Sequence, residues 1–250
     1  MRLRVPLLDP DPASPFPSAE QAMRDPDGLL AIGGDLSPQR LCNAYRNGVF
    51  PWYSDGQPIL WWSPDPRAVF VTDGVRLSSR FRRSLRASSW QARADSAFAA
   101  VIDGCAFAPR VGQRGTWITA EMRAAYLRLH ALGHAHSVEV YADDGDGGEV
   151  LAGGIYGVAI GRMFFGESMF SAVSGGSKMA LAALALRLRQ WGWPLIDAQV
   201  GNPHLASLGA RAWPRARFLE AIAPLCADGA VLLGPWTARF GTVAAPELAP

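Results

Sequence analysis

Apolar positions recur at two spacings along this chain, and the spacings predict where helices and strands fall. Ser37-Pro38 opens the first helix with a capping residue and Pro at the first helical position; it runs to about Asn47 and stops at Gly48. Residues 79–88 predict a basic helix capped by Ser78 or Ser79, and a further helix lies near 96–105. Thr119 caps a helix over 120–132 that Gly133 ends. The stretch Met179–Leu188, interrupted by Arg187, reads as the amphipathic centre of a helix over 177–191. Helices near 203–208 and 215–225 follow. Strand patterns fall at 67–72, 136–142, 149–160, 162–166 and 194–200. Residues 1–36 are rich in Pro, Asp and Gly and predict irregular structure, Phe50-Pro51-Trp52-Tyr53 a loop, and 242–250 a frayed end.

The acidic turn from Asp143 to Gly148 joins two strands as a hairpin loop; it lacks the ligand spacing and flanking helices of a calcium loop. Antiparallel strands followed by a helix and another strand predict a mixed α+β sheet domain behind a smaller N-terminal unit. The boundary is placed between residues 1–72 and 73–250.

Composition narrows the class. The 250 residues are 49% hydrophobic and 18% charged, with a net charge of +2. No apolar run reaches the roughly 18 residues that span a bilayer. The N-terminus lacks the apolar core of a signal peptide. The expectation is a soluble cytoplasmic protein without membrane contact. Cys42, Cys105 and Cys226 are odd in number and far apart, which predicts reduced thiols. The four histidines predict capping or packing, and no zinc spacing occurs, so no metal is expected.

Three constellations carry chemistry. The strand Pro194–Val200 is apolar except for Asp197 and Gln199, which alternation places on one face. Polar groups on a buried strand are costly unless something uses them. Glu167 lies in a GESMFS turn at the end of another apolar strand, so two carboxylates and an amide converge. Trp52 and Trp117 sit in loops, where a tryptophan can stack on a base. Arg76, Arg80, Arg82, Arg83, Arg86 and Arg93 form a run with no acidic residue between, which suits phosphate contact.

The motifs GLLAIGGDLSPQRL, YRNGVFPWYS, QPILWWSPDPRAV, GTWIT, RLHALGHAHSVEV, GGIYGVAIG, FFGESMFS, PLIDAQ and NPHLASLGA occur in order over roughly residues 15–225. In these the chain resembles the bacterial leucyl/phenylalanyl-tRNA–protein transferases. The resemblance implies a GNAT-like acyltransferase domain with a mixed, mostly antiparallel sheet, plus a small N-terminal α/β domain. It implies transfer of Leu or Phe, in some cases Met, from aminoacyl-tRNA to the N-terminal Arg or Lys of acceptor proteins. The product is marked for degradation, and no cofactor is used; the expected state is a monomer. By the same resemblance Asp197, Gln199 and Glu167 are catalytic. Trp52 and Trp117 flank the terminal adenosine. Ile155, Phe164, Met169, Leu181 and Ile196 line the donor side-chain pocket, and Arg76, Arg80, Arg82, Arg83 and Arg86 grip the acceptor stem. The chain departs from the family pattern at Gly175-Gly176-Ser177-Lys178, at Ala198 and at Ile155. Two other readings stay open: a CoA-dependent N-acyltransferase, for which the pyrophosphate-binding turn has no convincing match, and a non-catalytic tRNA-binding protein.

Overall fold

A computed structural model describes residues 5–108, 117–229 and 233–249. The N-terminal third forms β1 (Leu29–Ile32), α1 (Pro38–Arg46), β2 (Phe50–Pro51) and β3 (Leu60–Trp62). Then follow β4 (Arg67–Val71), α2 (Ser79–Arg86), β5 (Gln91–Ala94), α3 (Phe98–Phe107) and α4 (Ala120–Ala131). The long hairpin β6 (Ala135–Asp143) and β7 (Glu149–Ile160) leads to β8 (Met163–Ser171), α5 (Gly176–Gln190) and β9 (Leu195–Gln199). The chain closes with α6 (Pro203–Ser207), β10 (Arg211–Trp213), α7 (Arg215–Cys226), α8 (Thr237–Phe240) and β11 (Val243–Ala244).

The caps fall where local chemistry puts them. The hydroxyls of Ser37, Ser78 and Thr119 each accept an amide hydrogen bond from the first turn of α1, α2 and α4. Elements set by distant pairing differ from the sequence expectation. Residues 29–32 and 50–51, expected to be irregular, are strands of a small antiparallel sheet ordered β1-β3-β2. The C-terminal segment is not frayed: β11 pairs with β5, and Val243, Ala245 and Ala249 are buried. A two-residue edge strand and small apolar side chains leave almost no periodic signal.

The larger sheet has the order β10-β4-β9-β8-β7-β6-β5-β11. All its pairings are antiparallel except β8 with β9, which α5 connects as a crossover. Strand β4 lies within this sheet, between β10 and β9. Alternation along the strands divides the interior. Phe165 and Leu195 face a core built with α1, α3, α4 and α7, whereas Phe164 and Ile196 face a second core under α5. Cys42, Cys105 and Cys226 are not joined in disulfides; the first two are buried and the third half-buried. Among the described residues no helix is long and apolar enough to cross a membrane.

Candidate active site

Strands β8 and β9 pair from Met163 and Leu195 only as far as Phe165 and Asp197. Strand β8 continues to Ser171 beyond that pair, so the two strands part and leave a wedge. Each strand is bulged where they part. On the β7 side, Tyr156 faces Ser168 and Gly157 faces Gly166, so Glu167 is the extra residue. Gly157 permits this, because a Cβ there would lie 2.1 Å from the Phe165 carbonyl oxygen. On the β4 side, Val69 faces Asp197 and Ala68 faces Gln199, so Ala198 is the extra residue. Glu167 therefore sits within a strand rather than in a turn. The simple alternation expected for Asp197 and Gln199 is interrupted between them. Gln199 also adopts φ 59°, a left-handed conformation that costs a non-glycine residue roughly 1–3 kcal/mol.

Hydrogen bonds hold this geometry. Gln199 Nε2 donates to Glu167 Oε1 at 2.7 Å. The Tyr45 hydroxyl donates to Glu167 Oε1 and the Tyr126 hydroxyl to Oε2, each at 2.8 Å, which brings the two hydroxyl oxygens into contact with each other. Burial dominates this carboxyl and, with Asp197 nearby, pushes its pKa to about 7 against the three donors. The tyrosine hydroxyls are driven well above their ordinary range by burial and by the Glu167 charge.

Asp197 is engaged elsewhere. Arg67 Nε donates to its Oδ1 at 2.8 Å and Arg67 Nη2 to its Oδ2 at 2.6 Å, with neither side chain exposed. Asp197 Oδ1 also accepts the Gln199 backbone N–H at 2.9 Å. Arg67 Nη1 donates to the Gly48 carbonyl at 2.9 Å, and its guanidinium lies over the Phe50 and Phe218 rings. Sequence reasoning missed Arg67, Tyr45 and Tyr126. The available signal for Arg67 was a charge opening an otherwise apolar strand, which must find a buried partner.

Two cavities meet at Glu167. One, of about 370 Å³, has apolar walls from Phe70, Ile155, Met169, Leu181 and Ile196, with His204 at its border. Phe164, expected in the same wall, is 1% exposed and belongs to the core under α5, not to this lining. The other cavity, of about 330 Å³, is bordered by Phe50, Trp52, Trp117 and Gln199. Glu167, Ser168, Ala198, Asn202 and Leu205 line both. Trp52 is 40% exposed, with its carbonyl held by the Trp62 indole N–H at 2.6 Å. Gly115 and Thr116, which precede Trp117, lie outside the described residues.

Arg76 precedes α2, and Arg80, Arg82, Arg83 and Arg86 lie on it; all five are exposed. Arg93 does not join them. It is a β5 residue whose guanidinium is paired with Glu149 at 2.6 and 2.8 Å. Nor is the patch without acids in space, since Asp73 and Glu247 border the groove of Arg76, Arg82 and Arg189. Arg86 Nε donates to the Ala249 carbonyl at 2.8 Å, which ties α2 to the C-terminal segment.

The chain matches known proteins over nearly its whole length. Residues 69–223 match the family model "Leucyl/phenylalanyl-tRNA protein transferase", and residues 34–65 match the model of that family's N-terminal domain. A protein of Xanthomonas axonopodis pv. citri named leucyl/phenylalanyl-tRNA–protein transferase is 66% identical over 97% of this chain and 95% of its own length. A protein of the same name from Xylella fastidiosa is 61% identical over 94% of each chain. The solved structure titled "The structure of L-PGS from Bacillus licheniformis" is similar at 13% identity and a TM-score of 0.35. It covers 63% of this chain and 50% of that one, a likeness too distant to bear on the fold. The chain belongs to the leucyl/phenylalanyl-tRNA–protein transferase family.

Proposed function

We propose that this chain transfers Leu or Phe from aminoacyl-tRNA to the N-terminal Arg or Lys of acceptor proteins, with the wedge between β8 and β9 as its active site. The observation that carries the assignment of the site is the meeting, at Glu167 and beside Gln199, of an apolar cavity and an aromatic-walled one. The first suits the donor side chain and the second, between Trp52 and Trp117, the terminal adenosine. The ester carbonyl then falls near their junction.

The bonds balance without a further reactant. The lone pair of the neutral acceptor amine attacks the ester carbon, a C–N amide bond forms and the C–O bond to the ribose breaks. One amine proton ends on the released ribose oxygen. The protein's task is to place the amine. With its Nε2 spent on Glu167, the Gln199 side-chain carbonyl is left to accept a hydrogen bond from the amine and aim its lone pair. Positioning of this kind is worth roughly 7–11 kcal/mol in favourable cases. Asp197, saturated by Arg67, serves as the anchor of Gln199 rather than as a base.

In this reading the eight-stranded sheet, including β4, is the GNAT-like catalytic domain, and the small sheet carrying the Trp52 turn is the N-terminal domain. The apolar donor pocket has room for leucine or phenylalanine but discriminates weakly, since one methylene is worth about 1–3 kcal/mol. Met169 in its wall adapts to either shape.

The test is transfer of labelled leucine from Leu-tRNA to a peptide beginning with arginine, without ATP or CoA. A matched peptide beginning with alanine is the control. Label on the arginine peptide alone is expected. Bound tRNA without transfer would point instead to a tRNA-binding protein. The exposed face of α2 adds a second expectation. Arg82→Ala with Arg83→Ala should weaken tRNA binding about tenfold and lower the slope of log affinity against log salt by about 2. An unchanged affinity and slope in a salt titration would remove this face from the tRNA site.

A further inference from the structure

We infer that Arg67 is a positioning residue of the transfer reaction, acting through Asp197 on Gln199; this rests on the transferase reading above. The Arg67 guanidinium touches four elements at once. Its fork takes both oxygens of Asp197 on β9. Its third nitrogen takes the Gly48 carbonyl in the turn between α1 and β2. Its central carbon, Cζ, lies 4.8 Å from the ring centroid of Phe50 on β2 and 4.6 Å from that of Phe218 on α7.

These contacts close a ring through the site. From Gly48 the path runs to Arg67, to Asp197, to the Gln199 backbone amide, and by the Gln199 side chain to Glu167. Glu167 returns it to Tyr45, three residues before Gly48. Trp52 follows two residues after Phe50, so the ring sets the aromatic cavity and the amine-orienting amide in one register. Asp197 also holds Gln199 in its left-handed conformation, and Arg67 fixes the carboxylate that does so. A lysine keeps the charge but cannot make the planar fork, reach the third acceptor and sit over both rings at once.

The groups that face Glu167 are Tyr45 from α1, Tyr126 from α4 and Asp197 from β9, with Tyr156 of β7 behind the two tyrosines. Arg67 offsets the Asp197 charge. Losing that offset strengthens the repulsion that Glu167 feels and raises the pH at which it ionises.

The experiment compares wild type, Arg67→Lys and Arg67→Gln in single-turnover leucine transfer across pH, with folded fraction and tRNA affinity measured beside it. Arg67→Gln should lose at least about tenfold in rate at saturating Leu-tRNA, with KM for Leu-tRNA within about twofold. Its midpoint of rise with pH should move upward. Arg67→Lys should lose rate with the wild-type midpoint retained. The inference is overturned if Arg67→Gln keeps the wild-type rate and midpoint. It is equally overturned if the rate falls only in proportion to the folded fraction with the midpoint unmoved. Should Arg67→Gln not fold, an Arg67→Lys protein with wild-type rate overturns it. Absence of transfer in the wild type would instead sink the transferase reading.

Discussion

Asp197→Ala is expected to abolish transfer and to cost the fold about 3–5 kcal/mol, because Arg67 is left buried without its anion. For a chain of this length that is a fall of roughly 10 °C in Tm. Activity should fall further than unfolding explains, by at least about 100-fold in the protein that remains folded. The cause is local. Without the Asp197 oxygen the Gln199 amide has no acceptor, and its left-handed backbone loses the bond that holds it. Affinity for tRNA should hold, since the arginine face of α2 does not contact this pair. Thermal unfolding, single-turnover transfer and tRNA binding on the same preparation separate the three effects. Transfer at the wild-type rate would show that the Asp197–Gln199 contact has no part in the reaction.

Glu167→Gln is expected to remove a pH dependence from both stability and rate. Burial lifts the folded-state pKa from 4.5 to about 7, whereas the unfolded chain keeps an ordinary carboxyl. Between these values the folded state holds a proton that the unfolded state has lost. The stabilising effect of this group is thus fully present below about pH 4.5 and is lost as pH rises through about 7. The loss is on the order of 3 kcal/mol. Glutamine does not titrate, so the variant should lack this component of the decline and wild type should lose stability relative to it as pH rises across that window. Rate moves the other way. Ionised Glu167 accepts the Gln199 amide N–H and both tyrosine hydroxyls; once protonated it holds the amide less firmly. Wild-type transfer should rise with a midpoint near 7. The variant should be slower and keep only the rise that the acceptor amine brings near pH 8. A Glu167→Gln profile that overlays wild type would refute the role given to this carboxyl.

What the sequence disclosed follows the range of the interactions involved. Caps at Ser37, Ser78 and Thr119 are chemistry between neighbours, and those helix starts were legible. The run from Met163 to Asp197 was legible because its apolar periods switch cleanly from strand to helix and back. The bulges at Glu167 and Ala198 were not, since a bulge is a statement about the partner strand. Gly157, a glycine inside an apolar strand, was the one local hint. Asp197 and Gln199 were found as polar residues on a strand that ought to be apolar, and Glu167 as a carboxylate in what reads as the turn ending another. Their partners Tyr45, Tyr126 and Arg67 lie 122, 41 and 130 residues away from them in sequence and could be joined only by the fold. Trp52 and Trp117 were picked out as loop tryptophans, and they border one cavity. Phe164 was placed in the donor wall by analogy; it shares the core under α5 with Ile155, Leu181 and Ile196, but only those three of the four line the cavity.

The most direct test of the account is single-turnover leucine transfer by the double variant Arg67→Met with Asp197→Leu. Replacing both partners of a buried ion pair with apolar groups is often neutral for stability, unlike removing one. Tm is therefore expected to return toward wild type and tRNA affinity to stay put, while transfer to the arginine peptide remains at least about 100-fold down. A double variant that regains Tm and transfers leucine at the wild-type rate would contradict the claim that this buried network orients the reacting amine.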